Sequence, residues 1–268
     1  MSDFPQSPVL PAAWDGLRRF TDARIALGRA GHSQPTAAHL AFQLAHAQAR
    51  DAVHLPLDVG GMIDRVRALG LDTLHLHSAA PDRATYLQRP DLGRQLDAAS
   101  QAVLAQRSTA GPVDLAFVVA DGLSALGVMQ NAAPLLQHLL ALLRADAHQD
   151  WTLAPVALVE QGRVAIGDPI GSALRARTVV VLIGERPGLS SPDSLGVYFT
   201  WAPRAGLTDA QRNCISNVRE AGLMPERAAR TLHMLLSRSR ALMLSGLALK
   251  DESEHEGGPG ALGTPRTP

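Results

Sequence analysis

The chain has 268 residues, of which 46% are hydrophobic, 19% charged and 4% aromatic, with 25 basic residues matched by 25 acidic ones. That length can bury a sizeable core. Zero formal charge offers no basic excess for nucleic acid, and so few aromatics build no stacking platform for single strands. Cys214 is the only cysteine, so no internal disulfide can form. No apolar run approaches the roughly 20 residues that span a bilayer. Residues 1–11 lack the basic and then apolar pattern of a secretory signal. The expected location is the cytoplasm.

Residues 1–11 carry three prolines and are expected to lack fixed structure. A helix is expected from Ala12 to Leu27, stopped by Gly28-Arg-Ala-Gly31. The next helix, Thr36 to Val53, aligns Leu40, Leu44 and Ala47 on one stripe. A short helix around Met62–Leu69 leads to a strand at Thr73–His77, where Leu74 and Leu76 alternate with polar residues. Pro81 to Pro90 reads as irregular, and Asp91–Gln106 as helix.

From Pro112 the pattern changes. Val113–Ala120 is mostly apolar after a Gly-Pro break, which fits a strand buried on both faces. Two helices are expected next, with Pro134 in the first turn of the second. Ala154–Val159, Thr178–Ile183 and Gly196–Trp201 read as strands. The last helix is Pro225–Ser245, and 251–268 reads as a charged, then Gly/Pro-rich disordered tail. The outline is a mainly helical region over 12–110, then an α/β part over 111–250. The fold class is α/β, a mostly parallel Rossmann-like sheet with flanking helices.

Several familiar chemistries fail on residue type. Gly122-Leu-Ser124-Ala-Leu126 follows a strand, but a nucleophile elbow needs glycine at position 126. Asp121 there reads instead as a helix cap. No P-loop pattern occurs, and no Gly-x-Gly-x-x-Gly follows any of the expected strands. His75 and His77 share a strand face without the carboxylates or cysteines of a metal site. Asp146-Ala-His148-Gln-Asp-Trp151 approaches Asp-x-His-x-x-Gly, a corrinoid signature whose histidine replaces the cofactor's own base. Trp151 occupies its glycine position, so a corrinoid bound here is expected to stay base-on.

What remains is a set of loops at strand ends: Asp121–Ser124, Val164–Asp168, Gly184–Asp193 and Asn213–Asn217. Open α/β sheets bind ligands outside the carboxyl ends of their strands. Small residues let backbone amides approach a large ligand. These loops describe a broad binding edge.

Six segments carry a resemblance. They are Gly162-Arg-Val-Ala-Ile-Gly-Asp168, Val180-Val-Leu-Ile-Gly-Glu-Arg-Pro-Gly-Leu189, Ser194-Leu195, Arg212-Asn-Cys-Ile-Ser-Asn217, Ala23-Arg-Ile-Ala-Leu-Gly-Arg-Ala-Gly31 and Val119-Ala-Asp-Gly-Leu-Ser-Ala125. Together they resemble the small subunit of ethanolamine ammonia-lyase, from about residue 17 to 250, and the Gly-Glu-Arg-Pro-Gly-Leu and Cys-Ile-Ser-Asn pieces are its most specific part. The resemblance implies a radical enzyme that converts ethanolamine and similar vicinal amino alcohols to an oxo compound and ammonia. It implies adenosylcobalamin as cofactor. It implies a large subunit that binds ethanolamine, heterodimers that build a larger hetero-oligomer, and no activity without that partner. Cofactor contacts carried over by motif are Val164, Glu185 and Cys214. Asp121, Ser124, Asn213 and Ser216 are further candidates. Nucleic acid and membrane are not expected partners; enclosure in a bacterial microcompartment is left open. Two other readings stand beside it: a stand-alone corrinoid carrier and a Ser124 hydrolase.

Overall fold

The computed structural model describes residues 7–107 and 111–249. It opens with a two-residue ribbon in which β1 (Val9–Leu10) pairs antiparallel with β2 (Arg29–Ala30). Two helices follow, α1 (Thr36–His54) and α2 (Val59–Ala68), and then β3 (Thr73–His77). α3 (Arg83–Gln88) and α4 (Ala98–Gln106) lead to β4 (Val113–Ala120), α5 (Ala125–Ala145) and β5 (Val156–Glu160). The rest is α6 (Gly167–Ala173), β6 (Ala176–Gly184), β7 (Leu195–Trp201), β8 (Arg212–Val218) and α7 (Pro225–Leu242).

The main sheet has the order β3-β5-β4-β6-β7-β8. The first four strands are parallel, and β7 and β8 extend the sheet antiparallel. The sheet is thus mostly parallel and flanked by helices. β4 explains this placement: seven of its eight residues are buried, as expected of a strand covered on both faces. Odd-numbered residues Leu115, Phe117 and Val119 pack with α5 and α7 on one face. Even-numbered Ala116, Val118 and Ala120 pack with Ile166, Ile170 and Leu174 on the other.

α5 is long and apolar enough by composition to cross a membrane. Ten of its 21 residues are buried against the sheet and its neighbours, so it is a core helix. It runs unbroken through Pro134, where two helices were expected. Proline inside a helix costs about 3 kcal/mol. Leu135, Leu136 and Leu139, all fully buried, offset that at about 1.5–3 kcal/mol each.

Other expectations change too. The helix expected over Ala12–Leu27 is one 3-10 stretch, Asp15–Phe20, with no buried residue. Helices without a packed face are marginal in water. Val9 and Leu10 lie in a short ribbon where no fixed structure was expected. Pro81–Pro90 contains α3, which Asp82 caps by accepting from Thr85 N at 2.8 Å. The Asp91–Gln106 helix divides at Gln95–Asp97, and Asp97 caps α4. Ser124, not Asp121, caps α5, accepting from Gly127 N. The 213–217 segment expected as a loop is strand β8. The expected tail at 251–268 lies outside the described residues.

One buried ion pair ties the antiparallel edge to the parallel half. From β8, the Arg212 guanidinium donates to both carboxylate oxygens of Asp168 in α6, at 2.8 and 2.7 Å. It also donates to Thr200 Oγ1 of β7 at 2.9 Å. Both charged side chains are almost wholly buried. Fork geometry of this kind is the strong form of the contact. Removing one partner strands the other charge, which typically costs about 3–5 kcal/mol. Asp168→Ala is therefore expected to lower urea-unfolding stability by that amount. A loss below about 1 kcal/mol would show that the pair is not a strut.

Candidate functional site

Helices after adjacent strands β4 and β5 pack on opposite faces of the sheet: α5 on one, α6 on the other. Such a divergence opens a crevice at the strands' carboxyl ends. There the structure has an open groove of about 410 Å³. Gly122 and Leu123 enter it from the end of β4, Arg163 and Val164 from the end of β5, and Ile183 to Arg186 from the end of β6. Tyr86 and Tyr198 complete its lining.

The groove floor depends on two glycines. Gly122 has φ +57°, and a Cβ on it would lie 2.3 Å from Gly184 O. A Cβ on Gly184 would lie 2.0 Å from Ser124 O. Backbone meets backbone here, with Leu123 N donating to Gly184 O at 2.9 Å. No other residue type permits this approach.

Glu185 follows β6 directly. Its Oε2 accepts from Ser194 Oγ at 2.6 Å and from Asn217 N at 3.2 Å. Among the described residues both hydrogen bonds fall on Oε2, leaving Oε1 for a donor from outside the chain. Neither Arg186 nor Arg212 holds this carboxylate; Arg212 is committed to Asp168. Glu185 is half-buried, so the carboxylate is oriented and still reachable.

Cys214 lies on β8 directly across from Tyr198 on β7. Its exposed thiol lies 3.3 Å from Ser216 Oγ. Burial and the neighbouring thiol both push the Tyr198 hydroxyl pKa up, keeping it protonated. Cys214 does not line the groove; it flanks it through Tyr198. Val164 and Glu185 share the groove, and Cys214 extends that face by one strand.

The remaining candidates separate. Asp121 is buried behind the groove, where its Oδ1 accepts from Gly162 N at 3.1 Å and its Oδ2 lies 3.6 Å from Arg83 Nη1. Ser124 caps α5 and donates to Pro192 O at 2.7 Å. Its hydroxyl is bound within the fold, which speaks against the hydrolase reading. Asn213 donates to Leu249 O at 2.9 Å and accepts from Gly246 N at 2.6 Å, fixing the 246–249 turn to β8. Ser216 touches Cys214.

Tyr198 and Tyr86 were not singled out from the sequence. For Tyr198 a signal existed: in strand Gly196–Trp201, Gly196 and Tyr198 fall on one face. For Tyr86 none did, because its segment read as irregular. Two guanidinium groups lie over its ring, Arg83 at 4.8 Å and Arg163 at 4.2 Å from the centroid. Tyr86 OH donates to Gly162 O at 3.0 Å. Both backbone polar groups of Gly162 are thus held, its C=O by Tyr86 and its N–H by Asp121. The near-miss signature at Asp146 is structural: Trp151 Nε1 donates to Asp146 Oδ2 at 3.0 Å, and His233 Nε2 lies 3.4 Å from it. Among the described residues no cluster of metal-ligating side chains occurs.

With this geometry in place, relatives decide the family. The profile of the Ethanolamine ammonia-lyase light chain (EutC) family matches residues 11–250. This chain belongs to that family. The ethanolamine ammonia-lyase small subunit of Azotobacter vinelandii is 60% identical over 256 residues, 95% of this chain and 93% of that protein. The one from Ralstonia nicotianae is 60% identical over 254 residues, covering 94% and 93%. The one from Pseudomonas aeruginosa is 59% identical over 243 residues, covering 90% and 88%. The light-chain family's match takes in every groove residue named above.

Asp121 makes the groove's support testable by pH. Burial pushes its pKa from 3.8 up to about 6, although amides at Gln161, Gly162 and Gly122 and the Arg83 charge pull the other way. A raised carboxyl holds its proton longer in the folded chain than in the unfolded one. Its contribution is present below 3.8 and is lost as pH rises through about 6. Wild-type stability relative to Asp121→Asn is expected to fall by about 1–3 kcal/mol between pH 4 and pH 7. Urea titrations of both proteins at the two pH values measure it; a difference independent of pH contradicts the assignment.

Proposed function

We propose that this chain is the small subunit of an adenosylcobalamin-dependent ethanolamine ammonia-lyase and covers part of the cofactor. In this reading a larger chain holds the ethanolamine, and the light chain turns nothing over alone. The observation that carries the reading is Glu185, held on one carboxylate oxygen and uncommitted on the other, in the groove of a chain that belongs to the light-chain family.

The groove residues suit the rim of a corrin ring, which carries amide side chains. Glu185 Oε1 would accept an amide N–H, and a carboxylate acceptor makes the stronger kind of bond. Arg163 supplies the complement: its Nε is buried without a partner among the described residues, and an amide carbonyl would satisfy it. Val164 gives an apolar contact, and Cys214 a small polarisable one. The groove is open rather than enclosed, so it fits one side of a large ring and not a small substrate. When bound, adenosylcobalamin supplies the radical chemistry through its cobalt–carbon bond. This chain positions and shields.

Asp146 would not orient a cobalt-ligating histidine, since Trp151 Nε1 and the His233 ring take its carboxylate. The assembly is expected to be a larger hetero-oligomer in the cytoplasm. Cell fractionation would tell free enzyme from enzyme enclosed in a microcompartment. The substrate class is ethanolamine and similar vicinal amino alcohols.

Two measurements test this. Co-expressed with the large chain and given adenosylcobalamin, the complex should release acetaldehyde from ethanolamine; either chain alone should not. Full activity from the large chain alone refutes the reading. In the complex, Glu185→Ala should weaken cobalamin binding by about 1–3 kcal/mol, with Cys214→Ser costing less. Unchanged cofactor affinity in Glu185→Ala removes the carboxylate from the site.

A further inference from the structure

We infer that residues 7–55 form the docking arm for the large chain, and that they seat that chain over the groove's carboxyl edge. The inference rests on the proposed partnership, which names the occupant without saying where it binds.

α1 presents the wrong face to its own fold. The stripe a sequence would bury, Leu40, Leu44 and Ala47, is exposed, Leu40 by 57% and Leu44 by 60%. Its buried residues are two alanines, Ala45 and Ala52. The preceding segment behaves alike, with Trp14 exposed by 69% and Phe20 by 74%. Ten of the fifteen large apolar side chains exposed among the described residues fall between Val9 and Leu55. Exposed apolar surface gathered this way marks an interaction site rather than ordinary surface.

The occupant must come from another chain. Outside the described residues the sequence offers few large apolar side chains: Met1, Phe4 and Leu262. They cannot cover ten. The family name, a light chain, implies a heavier partner. The arm also differs in charge from the balanced whole. Its arginines are 18, 19, 24, 29 and 50, against aspartates 15, 22 and 51. The matching surface is apolar with an acidic rim.

Position links the arm to the groove. Arg24 Nη2 donates to Leu189 O at 3.3 Å, in the loop that begins with Glu185. Arg83 Nε donates to Val53 O near the end of α1 at 2.6 Å, while its Nη1 donates to Gly122 O at 2.8 Å. One guanidinium therefore joins the end of the arm to the groove floor. A partner seated on the arm is brought alongside the cofactor edge.

The test uses full-length chains and a tagged large chain. Leu40→Glu/Leu44→Glu and Trp14→Glu/Phe20→Glu should each weaken association at least about tenfold, since each puts two unpaired carboxylates into an apolar contact. Circular dichroism and the thermal midpoint of the isolated variants should match wild type, because the altered side chains are exposed. Val103→Glu, on α4, should bind as wild type. If a double variant misfolds, Leu44→Gln serves as the milder probe and should still weaken binding. Wild-type affinity in the folded arm variants overturns the docking inference and leaves the partnership intact. The same holds if they abolish only self-association of this chain. Failure of the wild-type chain to bind the large chain overturns the partnership itself.

Discussion

Everything at the groove follows from one backbone contact, where the turn after β4 meets the end of β6. Gly122 and Gly184 carry no Cβ, so Leu123 N reaches Gly184 O and the strand ends close on each other. That contact starts α5 at Ser124 and sends the chain from Gly184 straight into Glu185. It fixes the distance between the three loops of the groove. A side chain at either glycine would push β4 and β6 apart and misplace all three.

Around this contact the fold separates support from contact. Asp121 lies behind the groove, paired with Arg83, and holds the Gly162 N–H, while Tyr86 in the lining holds the Gly162 C=O. Val164 rides on that loop. Glu185 is steered by Ser194 and by the Asn217 amide of the antiparallel edge. The Arg212–Asp168 pair locks that edge to α6, which begins just after Val164. Strands β7 and β8 thereby act as a rigid extension of the groove's edge.

Legibility in the sequence followed burial. β3, β4 and β6 were readable because their apolar runs or alternation reflect how their faces are covered. The β8 strand was not, since Arg-Asn-Cys-Ile-Ser-Asn on a sheet edge reads as a polar loop; only its buried residues Arg212, Ile215 and Val218 face the fold. Arg212 itself is a buried charge, which no apolar pattern reveals. Residues 12–27 misled the other way, because a short helix persists in water only when something covers its apolar side chains, and none of those in Asp15–Phe20 is buried. Val164, Glu185 and Cys214 were accessible through resemblance alone. Nothing in periodicity joins three residues from three segments, and their shared sheet face appears only once strand order is known. Tyr86 needed the fold outright, since its importance lies in the Arg83 and Arg163 guanidinium groups over its ring and in its bond to Gly162 O.

The exposed stripe of α1 carries a consequence for the cell. A chain whose Leu40, Leu44, Trp14 and Phe20 face water is prone to self-association and to capture by chaperones for as long as it remains alone. Surplus copies would be a burden rather than a reserve. Under the docking inference, production of this chain is best coordinated with that of the larger chain it joins, with proteolysis removing whatever is left unassembled.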